Sequence, residues 1–85
     1  METSELLEDL TALLEQTGIE VRKQPMGGGG GGTCRIKDKT VFFLDTECSM
    51  LEMAVNCARE VASRIDIESI YLRPQVRQFL EKYGH

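Results

Sequence analysis

Three cysteines, one histidine and a short run of acids are the residues of this 85-residue chain with side-chain chemistry to offer. Cys34, Cys48 and Cys57 show no C-x-x-C spacing, and the single histidine, His85, is the last residue. A structural or catalytic zinc site needs three or four nitrogen or sulfur ligands at closing distance. The pattern therefore points to no metal and no other cofactor. No histidine sits within the chain to act as a base, which excludes cysteine-protease chemistry. Cys48 is the candidate reactive thiol, because it lies just before a helix start and a helix N-terminus lowers a thiol pKa. Cys34 and Cys57 read as small buried hydrophobes. Asp45 and Glu47 fall where an apolar strand ends, a position that catalytic acids often take, although acids before a helix also serve as caps and dipole partners. Arg35, Arg73 and Arg77 could hold an anion only if the fold brought them together.

The other feature with chemical content is a backbone one, six consecutive glycines from Gly27 to Gly32. Phosphate loops aim backbone amides at an anion and run into a helix N-terminus. Here Thr33-Cys34-Arg35-Ile36-Lys37 follows, which is strand-like, and no Gly-Lys-Ser or Gly-Lys-Thr is present. The run reads either as a flexible connection or as a surface that another main chain could approach closely. Gly29, Gly30, Gly31 and Gly32, with Cys34 and Arg35 at the exit, are the candidate binding residues.

The elements that would position these groups are legible from periodicity. Leu6, Leu7, Leu10, Leu13 and Leu14 form one helical stripe, with Glu5, Glu8 and Asp9 in the first turns and Gly18 as the stop. A helix from Thr3 or Ser4 to Thr17 follows. Ile19 to Lys23 alternates and meets Pro25, as a half-buried strand does. Cys34 to Lys37 and Thr40 to Leu44 read as a hairpin turning at Asp38-Lys39. Val41 to Leu44 is apolar on both faces and belongs at the centre of the sheet, covered by helices on each side or by a second copy. Ser49 and Glu52 have capping-box spacing. Behind them Leu51, Ala54, Val55, Ala58, Val61, Ala62 and Ile65 form the sheet-facing stripe. Met50, Met53 and Cys57 make a second stripe beside it, a candidate partner surface. Ile70-Tyr71-Leu72 is short and extended, and Pro74 opens a last helix through Val76, Phe79, Leu80 and Tyr83. The fold class is α+β: an N-terminal helix, a three-stranded mainly antiparallel sheet and two C-terminal helices. It forms one domain over residues 1–85 with a flexible glycine-rich loop at 25–33.

Composition narrows the function classes. Of 85 residues 41% are hydrophobic and 28% charged, ordinary for a globular domain, and the net charge is −4. Residues 21–41 carry five bases and one acid. Without stacking aromatics that cluster is a poor nucleic-acid footprint, so no nucleic-acid partner is expected. Val41-Phe42-Phe43-Leu44 is the longest apolar stretch and is far too short to cross a bilayer. The acidic N-terminus has no apolar signal-peptide core, and an odd cysteine count argues against a disulfide framework, so a cytoplasmic location is expected.

Gly31-Gly32-Thr33-Cys34-Arg35-Ile36-Lys37-Asp38-Lys39-Thr40-Val41-Phe42-Phe43-Leu44, then Asp45, a helix and Tyr71-Leu72-Arg73-Pro74, resembles a family of small uncharacterised bacterial proteins. That family has a glycine-rich lead, a Cys-Arg strand and a closing Tyr-Leu-x-Pro segment. The resemblance spans most of residues 19–83 and implies no function. The hairpin and following helix are also similar to the strand-helix core of zinc peptidases that cleave phage repressors. Their helix carries His-Glu-x-x-His, whereas this one reads Met53-Ala54-Val55-Asn56-Cys57-Ala58-Arg59-Glu60, so metal and general base are both missing. The leading expectation is a non-catalytic interaction protein that self-associates as a homodimer or binds an unidentified protein. A thiol enzyme or redox sensor using Cys48 or Cys34, and a catalytically silent peptidase relative, are the alternatives.

Overall fold

The computed structural model describes residues 1–84, and His85 lies outside the described residues. Helix α1 spans Thr3–Gln16. Its N-cap is Glu2, whose amide donates to Glu5 at 3.4 Å. The helix stops at Gly18, which takes φ +89°, a left-handed value open to a residue without Cβ. Strands β1 (Glu20–Gln24), β2 (Gly32–Ile36) and β3 (Lys39–Asp45) follow, then α2 (Met50–Arg64) and α3 (Pro74–Tyr83). Ser49 caps α2: its hydroxyl accepts the Glu52 amide and donates to the Glu52 carboxylate, both at 3.1 Å. A single 3-10 turn, Ile67–Ser69, links α2 to the extended segment before Pro74. The α+β class and the order helix, three strands, two helices are those the sequence dictates.

The sheet order is β1-β3-β2, with β3 central as its two-sided apolar pattern requires. The sheet is mixed rather than mainly antiparallel: β2 pairs antiparallel with β3, but β1 runs parallel to it, Val21 beside Phe42 and Lys23 beside Leu44. The hairpin turns at Lys37-Asp38, one residue earlier than Asp38-Lys39. Both turn residues have positive φ, 48° and 66°. That is the primed geometry whose twist matches the flanking strands.

Because β1 and β2 flank β3 on opposite sides, the chain leaving β1 must cross the C-terminal end of β3 to reach β2. The glycine segment makes that crossing. A Cβ built on Gly31 would lie 2.2 Å from the Phe43 carbonyl oxygen, a backbone atom that cannot move aside, and φ there is +77°. A close chain crossing is the physical reason for glycine at this position.

All three helices share one face of the sheet. A single apolar core joins Leu7, Leu10 and Leu14 of α1, Ala54, Cys57, Ala58 and Val61 of α2, Val76 and Leu80 of α3, and Phe42 and Leu44 of β3. Side chains alternate along a strand, so Val41 and Phe43 point to the other face, which no helix among the described residues covers. Val41 is buried there beside Glu20 and Cys34, while Phe43 is half-buried. The helices also stop short of β2: all five of its residues are exposed.

Candidate functional site

Three pieces of chain meet at the C-terminal end of β3: the crossing glycine segment, the exit toward α2, and the end of the parallel strand β1. Asp45 is the hub. Its side chain is 1% exposed. Oδ1 accepts the amides of Met26 and Glu47, each at 2.9 Å, and Oδ2 accepts the amide of Gly30 at 3.2 Å. Glu47 reaches back to accept the Gly27 amide, and Asn56 of α2 donates to the Gly30 carbonyl at 3.2 Å. The Thr46 amide donates to the Gln24 carbonyl at 3.1 Å, carrying the β1–β3 ladder one step further. The sequence suggested slack at 25–33; the structure ties this segment to β3 and α2 by named hydrogen bonds.

Electrostatics at the hub are set by those amides. Burial pushes the Asp45 carboxyl up, but the amides of Glu47, Met26, Gly30 and Gly28 outweigh it and hold the group below its ordinary value. Hydrogen-bonded on both oxygens, Asp45 is an anchor for the loop and not a free acid. Cys48, half-buried beside it, has its thiol pushed up, first by burial and then by the charges of Asp45 and Glu52; the Gly30 amide acts in the opposite sense and is outweighed. Burial, and after it the two acids that the fold places nearby, thus reverse the helix-dipole expectation of a lowered Cys48 pKa.

The remaining candidate residues divide between two places. Gly29, Gly30, Gly31 and Gly32 line a cleft of about 240 Å³ with Thr33, Phe42, Asn56 and Glu60. Arg35 and Cys34 lie further along β2, exposed and on opposite faces: Thr33 and Arg35 pair with Phe42 and Thr40 on the helix side, Cys34 with Val41 on the open side. The Met50, Met53 and Cys57 stripe is not one surface. Met50 is exposed and Met53 is partly buried against the core, whereas Cys57 is wholly buried, its thiol pushed up to about 12 by desolvation. Leu51, expected to face the sheet, is 49% exposed.

The three arginines are not brought together. Arg73 grips Asp9 of α1 with two hydrogen bonds of 2.8 and 2.7 Å, and Arg77 donates to the Ile70 carbonyl at 2.9 Å. Among the described residues no three of His, Cys, Asp and Glu gather closely enough to hold a metal ion, and no helix is long and apolar enough to cross a membrane. Sequence reasoning missed Asn56 and Glu60 of the cleft. Their signal was present, since both lie on the polar side of α2, but only the path of the glycine segment gives that side something to face. Comparison with family models, curated proteins and solved structures finds no match for the chain.

Proposed function

We propose that this protein is a small cytoplasmic interaction module that self-associates and carries out no catalysis of its own. The observation that supports this reading is the contrast between the two edges of the sheet. Edge strand β1 carries Glu20, Arg22 and Lys23 and runs into Pro25, the charged and proline-stopped composition that keeps an edge from pairing. Edge strand β2, Gly-Thr-Cys-Arg-Ile, has one charge and no proline, and it is exposed on both faces and along its outer side. Beside it the open sheet face presents Ile36 and Phe43, with no helix over them. An uncovered, unguarded edge next to apolar side chains is a template for another strand.

Two further features favour interaction over thiol chemistry. Cys57 is sealed in the core, and the Cys48 thiol is pushed up by burial first and by the charges of Asp45 and Glu52 after it. A cytoplasmic setting suits three free thiols, which a reducing compartment preserves. Sedimentation velocity from low micromolar concentration upward is expected to show a weight-average mass rising toward twice the 9.6 kDa of the chain. A mass that stays at one chain across that range rejects self-association.

A further inference from the structure

We infer that the partner surface is β2 itself: two copies join their β2 edges antiparallel about a two-fold axis at Cys34, making one continuous six-stranded sheet. This rests on the self-association proposed above and specifies its geometry. A two-residue hairpin turn closes on a hydrogen-bonded pair, so Ile36/Lys39, Cys34/Val41 and Gly32/Phe43 are the hydrogen-bonded pairs of the β2–β3 ladder. The alternate residues, Thr33 and Arg35, therefore direct their backbone N–H and C=O outward, unpaired within the sheet. Only these two can receive a neighbouring strand.

Three two-fold registers use those groups, and side-chain charge selects among them. An axis at Arg35 sets two guanidinium groups directly opposite, which is destabilising. An axis at Thr33 carries Arg35 past the end of the partner strand, opposite Gly31 with its left-handed backbone. An axis at Cys34 overlaps the whole strand. Thr33 then exchanges two backbone hydrogen bonds with Arg35 of the second copy, and symmetry repeats the exchange. Cys34 faces its own counterpart across a non-hydrogen-bonded pair, where side chains come closest.

The same register brings complementary charge together. Thr33 and Arg35 lie on the helix side of the sheet, because their partners Phe42 and Thr40 do. Opposite Thr33, Arg35 of the second copy meets the cleft lined by Thr33, Phe42, Asn56 and Glu60. Glu60 already accepts from Arg64 and, with two carboxylate oxygens, has room for another donor. Each copy thus offers an acid in a cleft and an arginine to fill the other's. A five-residue strand pair buries less than the roughly 1,200 Å² of a standard interface, which places the dimer in the weak, concentration-dependent class.

Three variants test this. Arg35→Glu sets two acids against each other and is expected to weaken association roughly tenfold or more, and Arg35→Glu with Glu60→Arg is expected to restore most of it. Thr33→Pro removes an outward amide while leaving the β3 ladder intact, and should weaken association with the far-ultraviolet circular dichroism unchanged. In Cys48→Ser, exchange with glutathione disulfide should link Cys34 to Cys34 of the second copy, each new disulfide releasing two reduced glutathiones. A wild type that associates, while Arg35→Glu and Thr33→Pro associate equally well and Cys34 forms only mixed disulfides, overturns the β2 interface and leaves self-association standing. A monomeric wild type overturns both.

Discussion

At the scale of single residues, Asp45 and Glu20 carry the pH dependence of this fold. Glu20 sits between Lys39 at 2.7 Å and Arg22, and these hydrogen bonds, Lys39 first, draw its carboxyl down from 4.5 to about 2. Asp45 is also held below its ordinary value, despite burial, by backbone amides. A carboxyl depressed in the folded state contributes stability that is complete above its unfolded pKa and lost as pH falls through the folded one. The urea midpoint is therefore expected to hold steady near neutrality and to fall progressively from about pH 4.5 toward 2. Glu20 is only half-buried and its ion pairs face solvent, so its share is small. Asp45→Asn should lower the midpoint at pH 7 and flatten the acid limb, because an amide cannot return the charge that the amides of Met26, Gly30 and Glu47 face. An unchanged acid limb in that variant would mean that Asp45 is not the group titrating. The position of Asp45 at a strand end could be read from sequence. Its role could not, since that depends on which backbone crosses above it.

At the scale of elements, the β2–β3 hairpin departs most clearly from local preference. Lys37 and Asp38 both take positive φ, yet lysine has no special tolerance for the left-handed region. Replacing the pair with Asn-Gly, the dipeptide suited to this turn, is expected to stabilise the protein by about 1 kcal/mol in thermal and urea unfolding. No gain would show that the strands, and not the turn, set the geometry. The helices were plain in the sequence because leucine and alanine spacing at 3.6 residues needs no partner to be recognised. Strand pairing is different. The alternation of Ile19 and Val21 fixes which face of β1 is apolar but says nothing about whether the neighbour runs parallel. Likewise the turn is displaced by one residue from the sequence reading, because asparagine-glycine was absent and Asp-Lys offered the nearest signal. Glu2 serves as the α1 cap in place of Thr3 or Ser4, although glutamate is not among the preferred capping residues.

For the whole molecule, the decisive fact is one-sided layering. Phe42 and Phe43 are adjacent in sequence, yet the first is in the helix-covered core and the second is on the open face. Phe42→Ala is expected to cost about 3–5 kcal/mol, a large part of the roughly 4–13 kcal/mol that a domain of this length possesses. Phe43→Ala should cost about 1 kcal/mol in the monomer, in keeping with its partial burial. Chemical denaturation of the two variants compares them directly, and equal losses would refute the layering. The sequence reading expects cover on both faces of β3, from helices or a second copy, whereas the helices cover only the face of Phe42 and Leu44. What it could not reveal is that all three helices gather on one side, because that follows from the β1–β3 crossover and from the Asp9–Arg73 pair that ties α1 to the start of α3.

The crossing of β3 by the glycine segment also ranks the steps by which the sheet can assemble. The β2–β3 hairpin closes through a two-residue turn, a local event on the microsecond scale. The β1 ladder must instead join residues some twenty positions apart, from Glu20 beside Val41 to Gln24 beside Asp45. Loop-closure entropy therefore favours the hairpin first and β1 second. Asp45 can gather the amides of Met26 and Gly30 only once both have docked. The carboxylate that anchors the loop is in this sense a latch on a finished sheet.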